Sequence, residues 1–136
     1  MGGKFFADAL VIGAGPAGLG TALALARHGV DVAVLEMQDR IGAKRRGETI
    51  RFDRKMDGLL GEGFFAKQTI RRINRRSYFS HTGLRRVDRT IDNPNLIISW
   101  PDFIQAMACV AEAAGARILP ASTVVGFIRE EGRIAG

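Results

Sequence analysis

The apolar positions in the first quarter of the chain predict a strand, a helix and a second strand. Ala7–Ile12 is a short apolar run that ends at a glycine, as a buried parallel strand does. From Pro16, which a first helical turn tolerates, apolar residues recur at helical spacing as far as Arg27, and Gly29 suits the left-handed position after a helix. Val30–Leu35 is again almost wholly apolar and predicts a second buried strand.

The middle of the chain has weaker periodicity and many turn residues. Residues 37–68 predict a loop with one imperfect helix at Asp53–Leu60. Residues 69–98 hold short strand-like runs divided by turn signals at Thr82-Gly83 and Asn93-Pro94. We therefore expect an inserted sheet of antiparallel strands here.

The last part of the chain predicts an amphipathic helix followed by further strands. Pro101 opens the helix and Gly115 closes it. Ala116–Leu119 predicts one strand, and Thr123–Ile128 predicts another that enters a tight hairpin at residues 130–133. The apolar face of the helix comprises Phe103, Ile104, Met107, Ala108, Ala111 and Ala114.

Composition places the chain among globular proteins, and its charge is concentrated in one segment. Apolar residues make up 46% and charged residues 25%, which excludes the disordered and fibrous classes. Residues 40–89 carry 15 Lys or Arg against 5 Asp or Glu, so they supply the whole excess behind the net charge of +6. Such a segment indicates a phosphate-rich partner, either nucleic acid or a cofactor diphosphate, or else a solvated face.

Other side chains point to a compartment but to no catalytic group. A single cysteine, Cys109, and the lack of a secretory cleavage pattern favour the reducing cytoplasm. The uncharged residues 9–26 are interrupted by glycines, so we predict no transmembrane segment. Cys109 and Met107 are interpreted as core residues, and neither His28 nor His81 has a visible triad or metal partner. The catalytic residues stay unknown, and we predict no metal site.

The strongest chemical signal lies between the first strand and the first helix, in the run Gly13-Ala14-Gly15-Pro16-Ala17-Gly18. In this arrangement Gly13 allows a tight turn, Gly15 lets the backbone approach a diphosphate, and Gly18 lets the helix pack closely on the strand. The free N–H groups and the positive end of the helix then face the phosphates. The run therefore predicts a dinucleotide site.

A carboxylate and several cations follow the second strand. Glu36 stands where it can accept hydrogen bonds from an adenosine ribose, and its charge would oppose a 2′-phosphate. Met37 and Arg40 come next and are further candidates for cofactor contact. Arg40 and the cations of residues 44–46, Lys44, Arg45 and Arg46, could approach phosphate oxygens or could face solvent.

These residues carry a family resemblance. The stretch VIGAGPAGLGTALALARHGVDVAVLE resembles the N-terminal fingerprint of FAD-dependent oxidoreductases related to geranylgeranyl reductases and aromatic-ring hydroxylases. Arg45-Arg46-Gly47-Glu48-Thr49 resembles the Gly-Glu segment that follows the second strand in geranylgeranyl reductases and flavin halogenases. Residues 101–116 and the final VVGFIREEGRIAG resemble later parts of the same domain.

The resemblance implies an α/β fold, a Rossmann-like FAD-binding βαβ unit with a small inserted antiparallel sheet. It implies the N-terminal part of an FAD-binding domain, divided into residues 1–68, the inserted strands 69–99, and residues 100–136. FAD is the implied cofactor, NAD(P)H the electron donor and a small molecule the substrate. Glu48 joins the cofactor candidates, although it could equally have a structural role.

The chain also departs from the family. Trp100 stands where many relatives have an Arg before the helical Phe103, so that contact is not carried over. The later Gly-Asp segment of the family is absent, so we expect a truncated chain that binds FAD weakly and does not turn over alone. The substrate, the reaction type and the oligomeric state cannot be read from these residues.

Two readings from other classes remain. Three arginine pairs, with Tyr78 and Phe79 nearby for stacking, could form a nucleic-acid patch, but exposed strands carry such charges routinely and we expect no nucleic-acid partner. The pairs are Arg71-Arg72, Arg75-Arg76 and Arg85-Arg86. The chain could also be a noncatalytic nucleotide-binding or scaffolding module.

Overall fold

The computed structural model describes residues 6–44 and 47–136. Arg45 and Arg46, two of the candidate phosphate contacts, lie outside the described residues. The chain divides into two compact units: a parallel unit, Met1–Ile41 with Ala111–Gly136, and an antiparallel unit, Gly42–Val110.

The parallel unit is built on a three-stranded parallel sheet. Strand β1 (Ala9–Ile12) pairs with β2 (Val32–Leu35), and β2 pairs on its other side with a third strand (Arg117–Leu119). Helix α1 (Pro16–Arg27) connects β1 to β2, and Gly29 has a φ of +77° after it. The predicted order of strand, helix and parallel strand is confirmed.

The core of the parallel unit lies between α1 and the central strand β2. Leu19, Ala22 and Leu23 of α1 are fully buried. Val32 and Val34 of β2 are fully buried as well, so the prediction of a buried second strand is confirmed. Each buried aliphatic side chain of this size contributes roughly 1.5 to 3 kcal/mol.

The prediction that β1 is buried is wrong for one of its faces. Leu10 is 46% exposed and Ile12 is 57% exposed. The side chain of Val11 instead faces α1, since its Cγ1 lies 3.3 Å from the position that a Cβ would take at Gly18. Alternate side chains of a strand point to opposite faces, and only the face toward α1 is covered here.

The antiparallel unit contains a sheet with strand order β3, β5, β4. Strand β3 is Gly47–Arg51, β4 is Thr69–Phe79 and β5 is Arg86–Ser99, and both pairings are antiparallel. The predicted inserted antiparallel sheet is confirmed, although β3 lies in a segment predicted as loop. The Thr82-Gly83 turn joins β4 to β5 as predicted.

The predicted turn at Asn93-Pro94 is wrong, because both residues lie inside β5. The β4 ladder passes from Ile73 opposite Asn95 to Arg75 opposite Thr90, so residues 91–94 bulge from the paired register. Proline lacks a backbone N–H and is tolerated in a strand at such a bulge. Turn-forming residues here produce an irregular strand rather than a reversal of the chain.

Two short helices separate β3 from β4. Helix α2 (Arg54–Leu60) confirms the predicted helix, and the Asp53 side chain caps it by accepting the Met56 N–H at 2.9 Å. Helix α3 (Phe64–Gln68) was not predicted. Phe64 and Phe65 of α3 make edge-to-face contacts with Phe103, with ring centroids 5.4 Å and 5.8 Å apart.

The long helix near the end of the chain, α4 (Trp100–Ala113), confirms the prediction. Met107 is buried as expected, but Cys109 is exposed, so the prediction that it belongs to the core is wrong. Cys109 follows the buried Ala108 by one position, which turns it about 100° around the helix, away from the apolar face.

The third parallel strand is β6 (Arg117–Leu119), and a two-stranded hairpin follows it. Strands β7 (Arg129–Glu130) and β8 (Arg133–Ile134) confirm the hairpin. Its turn residues Glu131 and Gly132 have φ values of +49° and +81°, the signs of a primed hairpin turn. The predicted strand at Thr123–Ile128 is wrong, since no ladder pairs that segment within the described residues.

Asp57 fixes the start of α3. Its two carboxylate oxygens accept the N–H groups of Gly63 and Phe65, each at 2.8 Å, and the residue is buried. These hydrogen bonds, first that from Phe65 and then that from Gly63, hold the pKa of the Asp57 carboxyl below its ordinary value of 3.8. The first N–H groups of a helix have no acceptor within the helix, and Asp57 supplies acceptors for two N–H groups at the start of α3.

We expect Asp57→Asn to lower the stability of the chain, because the amide keeps one acceptor and presents an N–H group to the other donor. Stability from a carboxyl with a lowered pKa is complete above 3.8 and is lost as pH falls through the folded value. Urea midpoints measured from neutral to acid pH should therefore converge for wild type and variant at low pH. Asp92→Asn, an exposed control, should leave the midpoint unchanged, and a constant difference across pH would contradict this role for Asp57.

Candidate functional site

The glycine-rich turn lies at the carboxyl end of β1. Gly13 has a φ of +95°, and its N–H donates to the carbonyl of Leu35 at 2.8 Å. A side chain at this φ would be strained, so glycine is the residue that the turn requires. The hydrogen bond to Leu35 ties the turn to the end of β2.

The other two glycines of the motif have different surroundings. A Cβ at Gly18 would lie 2.0 Å from the carbonyl oxygen of Gly13, so the contact between helix and turn excludes any side chain there. A Cβ at Gly15 would meet no atom within 4 Å, and its φ of −79° is open to every residue type. The packing of the protein therefore requires glycine at Gly18 but not at Gly15.

The N-terminal end of α1 presents backbone donors beside this open space. The N–H of Leu19 is the first to bond back into the turn, to Gly15 O at 2.9 Å. Within residues 6–44 and 47–136, no protein acceptor bonds the N–H of Gly15, Ala17 or Gly18, and the first helical turn has no acidic residue. The helix start therefore offers a positive electrostatic environment that suits an anion.

Glu36 lies directly against the turn. Its Oε2 accepts the N–H of Ala14 at 2.8 Å, and its Oε1 accepts the N–H of Gln38 at 2.9 Å. Glu36 is half-buried and follows β2 at once. The structure thus brings together the carboxylate and the glycines that the spacing of the sequence paired, and each carboxylate oxygen keeps acceptor capacity for a further donor.

A segment that the sequence did not single out supports Glu36. The N–H of Ser122 donates to the carbonyl of Glu36 at 2.8 Å, and the N–H of Ala121 donates to the carbonyl of Gln38 at 2.7 Å. Ala121 has a φ of +51°, an uncommon conformation for a residue with a Cβ. The chain after β6 therefore holds the chain after β2, and neither Ala121 nor Ser122 carries a local sequence signal for this role.

The remaining candidates take different positions. Ala14 is only 4% exposed, so its side chain belongs to the core and only its backbone faces the site. Met37 is 64% exposed, and Arg40 is exposed as well. Lys44 and Glu48 lie in the antiparallel unit, where Glu48 occupies β3 opposite Ile98. These two candidates are therefore outside the parallel unit, which contains the glycine turn and Glu36.

The parallel unit also contains a cavity of about 500 Å³ on the uncovered face of its sheet. Leu10 and Ile12 of β1 line it, together with Leu35, Phe127 and Ile134. The lining is mainly apolar. This cavity supplies none of the free N–H groups that distinguish the glycine turn.

Residues 11–65 match a family model described as an NAD(P)-binding Rossmann-like domain. That segment includes the glycine turn and Glu36, the two parts of the site that the structure joins. No protein with a curated description matches the sequence significantly. Among the described residues, no helix is both long enough and apolar enough to cross a bilayer.

Solved structures with a similar fold include a reductase-like protein, a flavin-dependent brominase and a monooxygenase. A geranylgeranyl bacteriochlorophyll reductase-like protein from Thermoplasma acidophilum has a TM-score of 0.81 and 22% identity over 96% of this chain and 34% of its own. A flavin-dependent brominase has a TM-score of 0.75 and 18% identity over 94% of this chain and 32% of its own. The p-nitrophenol 4-monooxygenase of Pseudomonas putida has a TM-score of 0.72 and 19% identity over 93% of this chain and 34% of its own.

At these identities the similarity establishes the fold, and it confirms at that level the resemblance that the sequence predicted. The chain spans about a third of the length of these structures. This protein therefore has the Rossmann-like α/β fold, with an inserted antiparallel sheet, that forms about a third of a geranylgeranyl bacteriochlorophyll reductase-like protein, of a flavin-dependent brominase and of a p-nitrophenol 4-monooxygenase.

Proposed function

We propose that the chain is the FAD-binding portion of a flavin-dependent oxidoreductase of the reductase or monooxygenase type. One observation carries the proposal: among the described residues, three amides at the start of α1 have no protein acceptor, and they lie beside a carboxylate bonded to the same turn. Amide N–H groups donate to diphosphate oxygens, and a carboxylate accepts from ribose hydroxyls. The donors and the acceptor of the site are therefore complementary to the ADP half of a dinucleotide. The named structural relatives favour a flavin as that dinucleotide.

In this proposal the diphosphate would rest against the N–H groups of Gly15, Ala17 and Gly18. Glu36 would accept hydrogen bonds from the adenosine ribose, and its charge would disfavour a ribose with a 2′-phosphate. Met37 offers an exposed apolar surface to the adenine, and Arg40 offers a cation to phosphate oxygens. Pro16 has no backbone N–H, so its place at the first position of the helix breaks no hydrogen bond within the helix.

FAD supplies the hydride or oxygen chemistry when bound, while the protein binds and orients it. We assign no catalytic residue. We propose NAD(P)H as the electron donor and a small molecule as the substrate of the whole protein, in a reducing cytoplasm. Residues 1–136 would be the N-terminal part of the FAD domain, with Glu48 as a further cofactor contact, and the chain by itself would bind FAD weakly and lack turnover.

A noncatalytic nucleotide-binding module is the second candidate. The match of residues 11–65 to an NAD(P)-binding domain favours it, because FAD and NAD share the ADP half that the turn would bind. The two candidates differ in the ligand that the protein retains.

The first test is the visible spectrum and the ligand preference of the purified chain. We expect FAD to bind the chain more tightly than NAD or ADP, with quenching of flavin fluorescence on titration, and we expect no substrate-dependent reduction. A colourless protein that binds ADP or NAD at least as tightly as FAD would instead support the noncatalytic module. Tight, stoichiometric binding of FAD together with turnover of a substrate would contradict the expected inactivity of this chain.

The second test uses three glycines of the same segment. Gly15→Val should lower the melting temperature by no more than a few degrees, because its side chain enters open space and only a favourable N-cap residue is lost. It should weaken FAD and ADP binding at least about tenfold by occupying the place of the diphosphate. Gly18→Ala should destabilise the fold by about 1 to 3 kcal/mol, because its Cβ overlaps backbone.

Gly20→Ala is the matched control within α1. Its Cβ meets no atom within 4 Å, so it should stabilise the helix by about 0.5 to 1 kcal/mol and leave binding unchanged. Undiminished FAD binding by Gly15→Val would refute the diphosphate assignment.

The third test concerns Glu36. Glu36→Gln loses the charge, keeps one acceptor oxygen and presents an N–H group to the N–H of Ala14 or Gln38, so ADP affinity should fall at least about tenfold, the effect of one charge-assisted hydrogen bond. The preference for ADP over 2′-phospho-ADP should shrink, because the repulsion of the 2′-phosphate is removed. Calorimetric titration with both ligands measures the ratio. Glu112→Gln makes the same charge change on an exposed part of α4, and an equal effect there would show that Glu36 has no specific role.

A further inference from the structure

The far end of the β4–β5 hairpin, residues 75–90, is exposed on both faces, and we call it the arm. Every residue of the arm is exposed except Ser80, which is half-buried. No part of the proposed cofactor site lies in the arm. An inference about it is therefore independent of the proposed flavin function.

The tip of the arm is a bonded turn that presents a large apolar side chain. The N–H of Ser80 donates to the carbonyl of Arg85 at 2.9 Å, and the N–H of Gly83 donates to the carbonyl of Ser80 at 2.9 Å. Leu84 is 87% exposed within this turn. Because the turn is closed by backbone hydrogen bonds, Leu84 is held at the end of the hairpin.

One face of the arm holds its one carboxylate, Asp88, together with Arg75 and Arg86. The Nε of Arg86 lies 2.8 Å from Oδ1 of Asp88, and its guanidinium lies 5.6 Å from the centre of the Phe79 ring. Ser77 also donates to Asp88. The cation of Arg86 on this face is thus neutralised by a neighbouring carboxylate and packed on an aromatic ring.

The opposite face carries cations without a carboxylate. Arg76 stands directly opposite Arg89 in the ladder, and Tyr78 stands opposite Val87. Like charges in directly opposed positions destabilise a strand pair, so folding does not account for this pairing. Tyr78 is 50% exposed and Val87 is 54% exposed, so the two arginines lie next to an exposed apolar pair on the same face of the ladder. Leu84 lies beyond the end of the ladder, in the turn.

Charge decides which partner fits this surface. Arg75 and Arg76 lie on β4, an edge strand of the sheet, and charged side chains on an edge strand oppose pairing with the edge of another copy. A second copy of the chain is therefore disfavoured. An anionic partner is complementary. Leu84 and Val87 are aliphatic and cannot stack on nucleic-acid bases as aromatic rings do. Both side chains fit the boundary between lipid headgroups and acyl chains.

We propose that the arm docks on an anionic lipid bilayer. Leu84, Tyr78 and Val87 enter the headgroup boundary, where tyrosine places its ring in the apolar layer and its hydroxyl in water. Arg76, Arg85 and Arg89 bind the lipid phosphates around them. The arm lies on the membrane surface and does not cross it.

Vesicle sedimentation of the 136-residue chain tests the proposal. The chain should sediment with phosphatidylcholine vesicles that contain phosphatidylglycerol, remain in solution with phosphatidylcholine alone, and be released by added salt. Arg76→Gln with Arg89→Gln should weaken binding roughly 25-fold, about fivefold for each arginine. Leu84→Ser should weaken it about tenfold or more, through loss of apolar burial.

Arg54→Gln with Lys55→Gln is the matched control, since it removes two exposed cations outside the arm. It should retain near wild-type vesicle binding. Equal losses in the control and the arm variant would overturn the proposal in favour of diffuse charge attraction. Absence of vesicle binding, with arginine-dependent binding of single-stranded RNA instead, would overturn it in favour of nucleic acid.

Discussion

The hydrogen bond between the Glu36 carboxylate and the Ala14 N–H, 2.8 Å long, is the contact on which the site depends. It joins the end of β2 to the turn after β1, and the hydrogen bond from Ser122 to the carbonyl of Glu36 adds the segment after β6. The carboxyl ends of all three parallel strands therefore meet at one point. Ligands of open α/β sheets bind at this end of the strands, because turns and helix starts converge there.

The same turn separates residues needed for folding from residues available to a ligand. Gly18 is required by contact with Gly13, whereas Gly15 borders open space and has an ordinary backbone conformation. A purely structural role for the turn would explain glycine at position 18 but not glycine at position 15. The free amides beside Gly15 and the absence of acidic residues in the first turn of α1 make the open space electrostatically suited to phosphate.

Local signals made part of this structure predictable from sequence. The order of β1, α1 and β2, the glycine turn and the place of Glu36 lie within one continuous segment of fixed spacing. Strand β3 and helix α3 were missed because distant partners form them: β3 pairs with β5, and Asp57 caps α3 from another helix. Asn93-Pro94 carried a turn signal that pairing of the surrounding strand overrode. The hydrogen bond from Ala121 to Gln38 could not be predicted from the sequence, because Ala121 makes it with its backbone N–H and not with its side chain.

The central claim is that the backbone amides of the glycine turn bind a diphosphate while Glu36 binds the adjoining ribose. Titration of the ¹⁵N-labelled chain with ADP, followed by amide chemical shifts, tests it most directly. Saturable shifts concentrated at Ala14, Gly15, Ala17 and Gly18, with Gln38 shifting as Glu36 engages the ribose, are the predicted result. Amides of the turn that stay unshifted at saturating ADP, or shifts confined to the antiparallel unit, would contradict it.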